Sequence, residues 1–394
     1  MSLEEPFEVA IAGGALVGAA LARALRGARV ALIAQERRPA LADAAGFDSR
    51  VYAVSPGNAA FLSQLGAWSA IPETRRTPVR AMRVYGDDGA SLIEFDAYRT
   101  GCSELEWIIE DRALQEALWS GLQSQEGLSV FSAATLRQLE LTESRAVLSL
   151  EDGRNLGAQL VVGADGARSM VREKAGIAAD ERDYGQSAVV ANFACGKPHR
   201  GVAFQWFQGG QKGGAVLALL PLPGDHVSMV WSTTDAQAAR LQALPGEALA
   251  AEVAAASRES VGELSLVTPQ RGFALRRLAA GRLIAPRVAL AGDAAHVMHP
   301  LAGQGANLGL QDARVLAAVL DAREPGRDAG DPRLLRRYER ARAEDILAMR
   351  ATVHGLFRLF EARGPGISRL RNAGLNLADR MPVLKNLLMR HAMG

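Results

Sequence analysis

The chain has only two cysteines, Cys102 and Cys195, in 394 residues, far apart and outside any Cys-x-x-Cys spacing. A disulfide framework and a zinc site are therefore not expected, and a reducing, cytoplasmic setting fits best. Net charge is also nearly absent: 45 Lys plus Arg against 43 Asp plus Glu leaves +2, so no global field gathers nucleic acid. Long apolar runs are lacking as well, and stretches such as Ala215 to Pro223 fall well short of the ~20 residues a membrane-spanning helix needs. The start, Met1-Ser2-Leu3-Glu4-Glu5, is acidic where a secretory signal is basic. No internal repeat or low-complexity tract occurs, and 48% hydrophobic with 22% charged residues is a globular composition.

What the chain has in excess is glycine, 40 residues or about one in ten, above the average of ~7%. Without a three-residue period, the excess belongs at particular turns. The first is Gly13-Gly14-Ala15-Leu16-Val17-Gly18, between the apolar run Phe7 to Ala12 and an alanine-rich helical stretch, followed by the β-type run Arg29 to Ile33. Strand, tight turn, helix, strand is a mononucleotide-binding opening, in which glycines let the backbone approach a pyrophosphate at a helix N-terminus. Two letters depart from the usual fingerprint. Ala15 stands where the second glycine belongs, and Ala34, followed by Gln35 and Glu36, stands where an acid usually holds the ribose.

Further along, Ser55-Pro56 starts a helix that ends at Gly66, Asp111 is read as the cap of another, and Val147 to Leu156 reads as a hairpin around Asp152-Gly153. From about Gln186 to Phe273 several β-type runs and an alanine-rich helix near Pro245 to Ser257 suggest an inserted antiparallel sheet. Its aromatics, Phe193, Phe204, Trp206, Phe207, Trp231 and Phe273, would suffice to wall an apolar pocket, although ordinary core is the commoner fate of such residues. The chain then returns to a buried strand, Arg287 to Ala291, and a second glycine-rich turn running from Gly292-Asp293 through His296, His299 and Pro300 to Gly303-Gln304-Gly305-Ala306-Asn307, with Asp312 beyond. An aspartate at the carboxyl edge of a sheet, followed by bare N–H groups at a helix start, suits a ligand that becomes anionic.

That second turn resembles the Gly-Asp motif of FAD-dependent aromatic hydroxylases, the single-component flavoprotein monooxygenases, and Gly163-Ala164-Asp165-Gly166-Ala167-Arg168 resembles their Asp-Gly motif. Asp48-Ser49-Arg50-Val51-Tyr52-Ala53-Val54-Ser55-Pro56, Trp107-Ile108-Ile109-Glu110-Asp111-Arg112 and the stretch from Gly374 to Arg380 are similar to the ubiquinone-biosynthesis hydroxylases within that group. The resemblance implies an α/β fold: a Rossmann-like, para-hydroxybenzoate-hydroxylase-like FAD-binding domain over residues 1–75, 106–178 and 276–350, an inserted antiparallel-sheet substrate domain over 76–105 and 179–275, and a C-terminal helical segment over 351–394. It implies FAD as cofactor and NAD(P)H as co-substrate. The activity implied is hydroxylation of the ring of a polyprenylated phenol with O2, through a flavin hydroperoxide. The cofactor-binding positions would be Gly13, Gly14, Ala15, Gly18, Gln35, Glu36, Arg50, Arg112, Asp165, Gly166, Gly292, Asp293, Pro300, Gly303, Gln304, Gly305, Ala306 and Asn307. No acid–base arrangement stands out; His296, His299 and Pro300 are weak catalytic candidates.

Two other readings stay open: a flavin-binding scaffold of a ubiquinone-synthesis assembly, and a flavin monooxygenase for another aromatic substrate. The last forty residues carry seven Lys or Arg against two Asp or Glu. That tail reads equally as a peripheral dock on anionic lipid or a partner protein and as a solvated helical face.

Overall fold

The structure is a computed structural model that describes residues 6–35, 46–88, 91–209, 214–299 and 304–361. Five strands form a parallel sheet in the spatial order Leu128–Phe131, Val30–Ile33, Phe7–Ala12, Asn155–Gly163, Val288–Leu290. Sequence runs with no polar alternation are what a sheet covered on both faces requires, and Val9, Ile11, Val30 and Leu32 are fully buried. The helix Leu16–Ala24 lies against this sheet through Gly18, Ala19, Ala20 and Ala22, residues small enough for close approach. Helices Asp111–Trp119 and Gln304–Asp321 pack beside it.

The region of β-type runs forms a nine-stranded sheet. Its order is His296–Val297, Arg271–Ala280, Ala179–Cys195, His226–Thr234, Ala215–Leu222, Val202–Gln208, Ala81–Tyr85, Leu92–Asp96, with Leu264–Leu266 alongside Ala179–Cys195. A three-stranded sheet, Val51–Val54, Glu106–Glu110 and Arg76–Val79 with Glu106–Glu110 in the middle, lies between the two.

Strand alternation gives the large sheet two unlike faces. Phe193, Phe204, Trp206 and Trp231 all point to one face, where they pack with Leu241, Leu249 and Val253 of helices Asp235–Ala243 and Gly246–Ala256. Those four are ordinary core on the far side, the commoner fate of such residues, and Phe273 is 43% exposed. Phe207 belongs to the other face, with Val216, Val84 and Ile93, and so does Phe273, opposite Ala188. The centre of that inner face is made of small or flexible residues, Ala203, Gln205, Ala218, Leu220 and Val230, on neighbouring strands.

Local expectations fared unevenly. Ser55 caps its helix, accepting from the Asn58 N–H with Pro56 in the first turn, and the hairpin Ala146–Leu150 to Asn155–Gly163 forms as read. Asp111, by contrast, is not a cap. Glu110 holds the cap position, without a side-chain bond, while Asp111 is fully buried one residue inside and accepts from Gln115 Nε2 at 2.5 Å. One residue of error at a helix start is ordinary; here Asp111 is drawn inward by Tyr52, to which it hydrogen-bonds.

Candidate functional site: three glycine turns at one sheet edge

The three glycine-rich turns follow adjacent parallel strands and meet at their carboxyl ends. Their contacts are too close for side chains. A methyl at Gly13, whose φ is +110°, would lie 2.1 Å from the carbonyl oxygen of Ala164 and 2.9 Å from the Asp165 nitrogen. A methyl at Gly292 (φ +62°) or Gly309 would strike Val17 Cγ2, at 2.9 and 2.6 Å. Gly14 is hemmed by Ala34 and Trp119, and Trp119 Nε1 donates to the Gly14 carbonyl at 2.9 Å. Glycine is required at these points by packing between turns as well as by any ligand.

The same geometry explains both departures from the fingerprint. Ala15 sits exposed at the cap of the first helix with φ −76° and ψ −169°, ordinary extended backbone that needs no glycine. Ala34 is 1% exposed and lies beneath Gly14, so a larger acid there would push the turn apart; Gln35, next along, is exposed. Ala15→Gly should accordingly change FAD affinity by less than about tenfold, roughly 1.4 kcal/mol, as read by flavin titration of the apoprotein.

The residues present fit a flavin dinucleotide. The first helix begins with no side-chain cap and no acid in its first turn, leaving its N–H groups for an anion. Gly305 opens helix Gln304–Asp321 with no described residue within 4 Å of where a Cβ would stand. Asp165 gives one carboxylate oxygen to the Val171 N–H at 3.2 Å, while the other, Oδ1, is buried with no hydrogen-bond partner among the described residues. Arg50 is exposed, 5.3 Å from the Tyr52 ring centroid. Loss of surrounding water within the cleft works against its charge, but Tyr52, Asp111, Asp293 and Asp48 outweigh it and raise its pKa. For Asp293, open to solvent within the cleft, loss of surrounding water raises the pKa against the pull of His296 and Arg50. Arg112 pairs with Asp48 at 3.6 Å.

Behind the Gly-Asp turn lies a network that the sequence did not disclose. Asp312 is fully buried; its Oδ2 accepts the Gly292 N–H at 2.9 Å and stands 2.6 Å from His296 Nε2, and its Oδ1 accepts from Arg342 Nε at 2.8 Å. Burial alone would raise the Asp312 pKa, but His296 and Arg342 together hold it below the usual carboxylate value. Through Asp312, His296 braces the turn. His299 is also enclosed, 3.2 Å from Gln186 Oε1 and edge-on to Tyr184 at 5.0 Å. Burial pulls its pKa down to about 4, so the ring is neutral near pH 7.

The Asn307 side chain serves the protein too. It accepts from the Ser55 N–H at 3.0 Å and donates to the Ala53 carbonyl at 2.8 Å, clamping the three-stranded sheet to the helix start and leaving only its backbone for a ligand. Glu36, Pro300 and Gly303 lie outside the described residues, as do residues 362–394 of the basic tail. Among the described residues, no helix is long and apolar enough to cross a membrane.

Comparison with known proteins agrees with this geometry. The profile of the FAD binding domain family matches residues 6–351. The chain is 37% identical to ubiquinone hydroxylase UbiL of Rhodospirillum rubrum, over 100% of its own length and 91% of the relative's. The chain belongs to the FAD-dependent hydroxylases of ubiquinone biosynthesis. A second member, the 3-demethoxyubiquinol 3-hydroxylase of Escherichia coli, is 34% identical over 99% of both chains. Among solved structures, PqsL of Pseudomonas aeruginosa, described as a probable FAD-dependent monooxygenase, superposes with a TM-score of 0.78 at 24% identity, covering 94% of this chain and 99% of PqsL, a likeness of fold. FAD is the cofactor of this family, and the hydroxylase described here carries the family's three motifs on touching turns.

Proposed function

We propose that this hydroxylase inserts oxygen into the ring of a polyprenylated phenol in ubiquinone biosynthesis, with NAD(P)H as reductant and O2 as oxidant. The observation that carries the reading is the meeting of three glycine turns at one sheet edge beside the small-residue inner face of the large sheet. Gly13, Gly14 and Gly18 with the first helix start would hold the pyrophosphate, Arg50 and Asp293 the ribityl region, and the helix start at Gln304–Asn307 the flavin edge. When bound, FAD supplies the redox chemistry: hydride acceptance from NAD(P)H and activation of dioxygen toward an electron-rich ring.

The chain's own residues provide the rest. The first-turn N–H groups at Gln304–Asn307 place positive potential where the reduced flavin is anionic. Asp312, through Gly292 and His296, fixes the turn that carries Asp293. The inner face of the large sheet, apolar at Ala218, Leu220 and Val230, excludes water and leaves room for a ring. The division into a flavin domain and an inserted substrate domain follows the same reading, with the large sheet as substrate wall.

Purified protein is expected to carry flavin absorbance, and NAD(P)H oxidation is expected to rise on adding a prenylphenol. Asp293→Ala should lose FAD; retention of flavin in a folded Asp293→Ala protein would remove the assignment of that motif.

A further inference from the structure

The strand Glu106–Glu110 carries two buried glutamates on one face, and they are treated differently. Glu110 accepts from the Asp48 N–H at 2.6 Å and from Arg75 Nη1 at 2.8 Å. Glu106 is 8% exposed and has no hydrogen-bond or ion-pair partner among the described residues. It stands opposite Val79, on the face shared by Ala53 and Ile108, which packs against Ala203 and Leu222 of the large sheet's inner face. The neighbouring rung, Val54 with Trp107, leads to Ser55, which Asn307 ties to the helix start at Gln304.

Glu106 is not the only unsatisfied group there. Thr77 Oγ1, opposite Ile108 on the same face, is buried without a partner, and so are Ser228 Oγ and Asn192 Oδ1. Ser228 and Asn192 face each other across the large sheet, Ser228 beside Leu220, and Asn192 Nδ2 reaches the Asp48 carbonyl at 2.8 Å. Buried polar atoms are nearly always paired. Three unpaired ones beside the Glu106 carboxyl, on two faces that meet with apolar residues between them, describe a site for a ligand whose body is apolar and whose end is a hydroxyl.

Resting on the hydroxylase reading, we propose that Glu106 is a catalytic residue that accepts the proton of the substrate's phenolic hydroxyl. In this step the phenolic O–H bond breaks, an O–H bond forms on the Glu106 carboxylate, and the electron pair stays on the phenolate oxygen, enriching the ring for attack by an electrophilic oxygen. The proton returns to the hydroxyl when product forms, so no further oxidant or reductant is needed. Burial pushes the Glu106 pKa up to about 7, with no charged neighbour contributing, which places a base of this kind near its working pH. Among the described residues, Arg76–Val79 presents Thr77 and Val79 to this face, Val51–Val54 presents Val51 and Ala53, and the large sheet presents Met82, Ala203, Leu220 and Leu222, with His226, opposite Leu222 and 4.9 Å from the Phe47 ring, as the titratable group they bring. Glu110, along its own strand, is committed to Arg75.

The test uses the flavin-loaded full chain with a prenylated phenol and its methyl ether, which has no proton to give, and reads binding from flavin fluorescence. Wild type should prefer the phenol by about tenfold or more, the value of a hydrogen bond to a charged acceptor. Glu106→Leu should reduce that preference to within about threefold. Glu106→Gln, which keeps an acceptor oxygen but cannot take a proton, should lower kcat by roughly a hundredfold and abolish the limb of the kcat/KM profile that rises through pH about 7 in wild type. The raised pKa of Glu106 also means that its neutral form suits the fold and that this contribution is lost as pH rises through about 7. Glu106→Gln should therefore have a higher Tm than wild type at about pH 8 and an equal one at about pH 5, a readout that stands even if Glu106→Leu fails to fold. A preference and a pH limb unchanged in Glu106→Gln would overturn the role of Glu106. Wild type that binds neither probe would instead overturn the substrate reading, and the Glu106 role with it.

Discussion

Asp312→Ala is expected to lose about 3–5 kcal/mol of stability, because it strands a buried cation and frees the turn that carries Asp293. Arg342 is 1% exposed and directs its Nε at Asp312; its remaining partners, Asp345 at 2.6 Å and Gln311 at 3.2 Å, do not replace a buried carboxylate. The Gly292 N–H and His296 lose their acceptor at the same time. Denaturant unfolding at neutral pH measures the loss. The sign with pH follows from the Asp312 pKa, which His296 and Arg342 hold below its unfolded value. Its stabilisation is present above the usual carboxylate pKa and disappears as the solution is acidified through the folded pKa, so wild type and Asp312→Ala should converge in stability toward acid pH. A flavin-retaining Asp312→Ala protein with unchanged stability at pH 7 would show that the network is ornamental.

Gly13→Ala should be nearly as damaging, for a different reason. The new methyl would stand 2.1 Å from the Ala164 carbonyl oxygen, and alanine would be held at φ +110°. Backbone strain and overpacking each cost about 1–3 kcal/mol, and neither neighbour can give, since Ala164 N–H is bonded to the Ala12 carbonyl at 2.8 Å. The expected result is a protein with a lowered Tm that purifies without flavin. Gly305→Ala is the contrast: no described residue lies within 4 Å of its added methyl and alanine favours a helix, so the fold should keep its Tm while FAD binding weakens. Flavin retention measured beside Tm for the pair separates a glycine that protein packing demands from one that the ligand demands.

Much of this architecture was readable in the sequence because it rests on short-range rules. Glycines between an apolar strand and a helix, Ser55 before Pro56, and Asp152-Gly153 between β-type runs each fix local backbone, and each appears as expected. The hidden part consists of pairings between distant residues. Nothing in the letters around Arg342 or His296 says that both turn toward Asp312, 30 and 16 residues away. Which face of the large sheet its aromatics take was not legible, because strand alternation assigns two faces without saying which one a helix will cover; helices Asp235–Ala243 and Gly246–Ala256 cover the face with Trp206 and Trp231. Glu106 escaped notice because an acid in a strand reads as solvated, and only the pairing with Val79 turns it inward. Ala15 and Ala34 looked like defects and are accommodations, one in extended backbone at the surface and one beneath a glycine.

The most direct test of the account is turnover of the flavin-loaded protein with NAD(P)H, a prenylphenol and isotopically labelled dioxygen, followed by mass analysis of the product. The account predicts one labelled oxygen atom on the aromatic ring for each NAD(P)H consumed in coupled turnover. Flavin-loaded protein that oxidises NAD(P)H at the same rate with and without the phenol, and leaves the ring unlabelled, would contradict it.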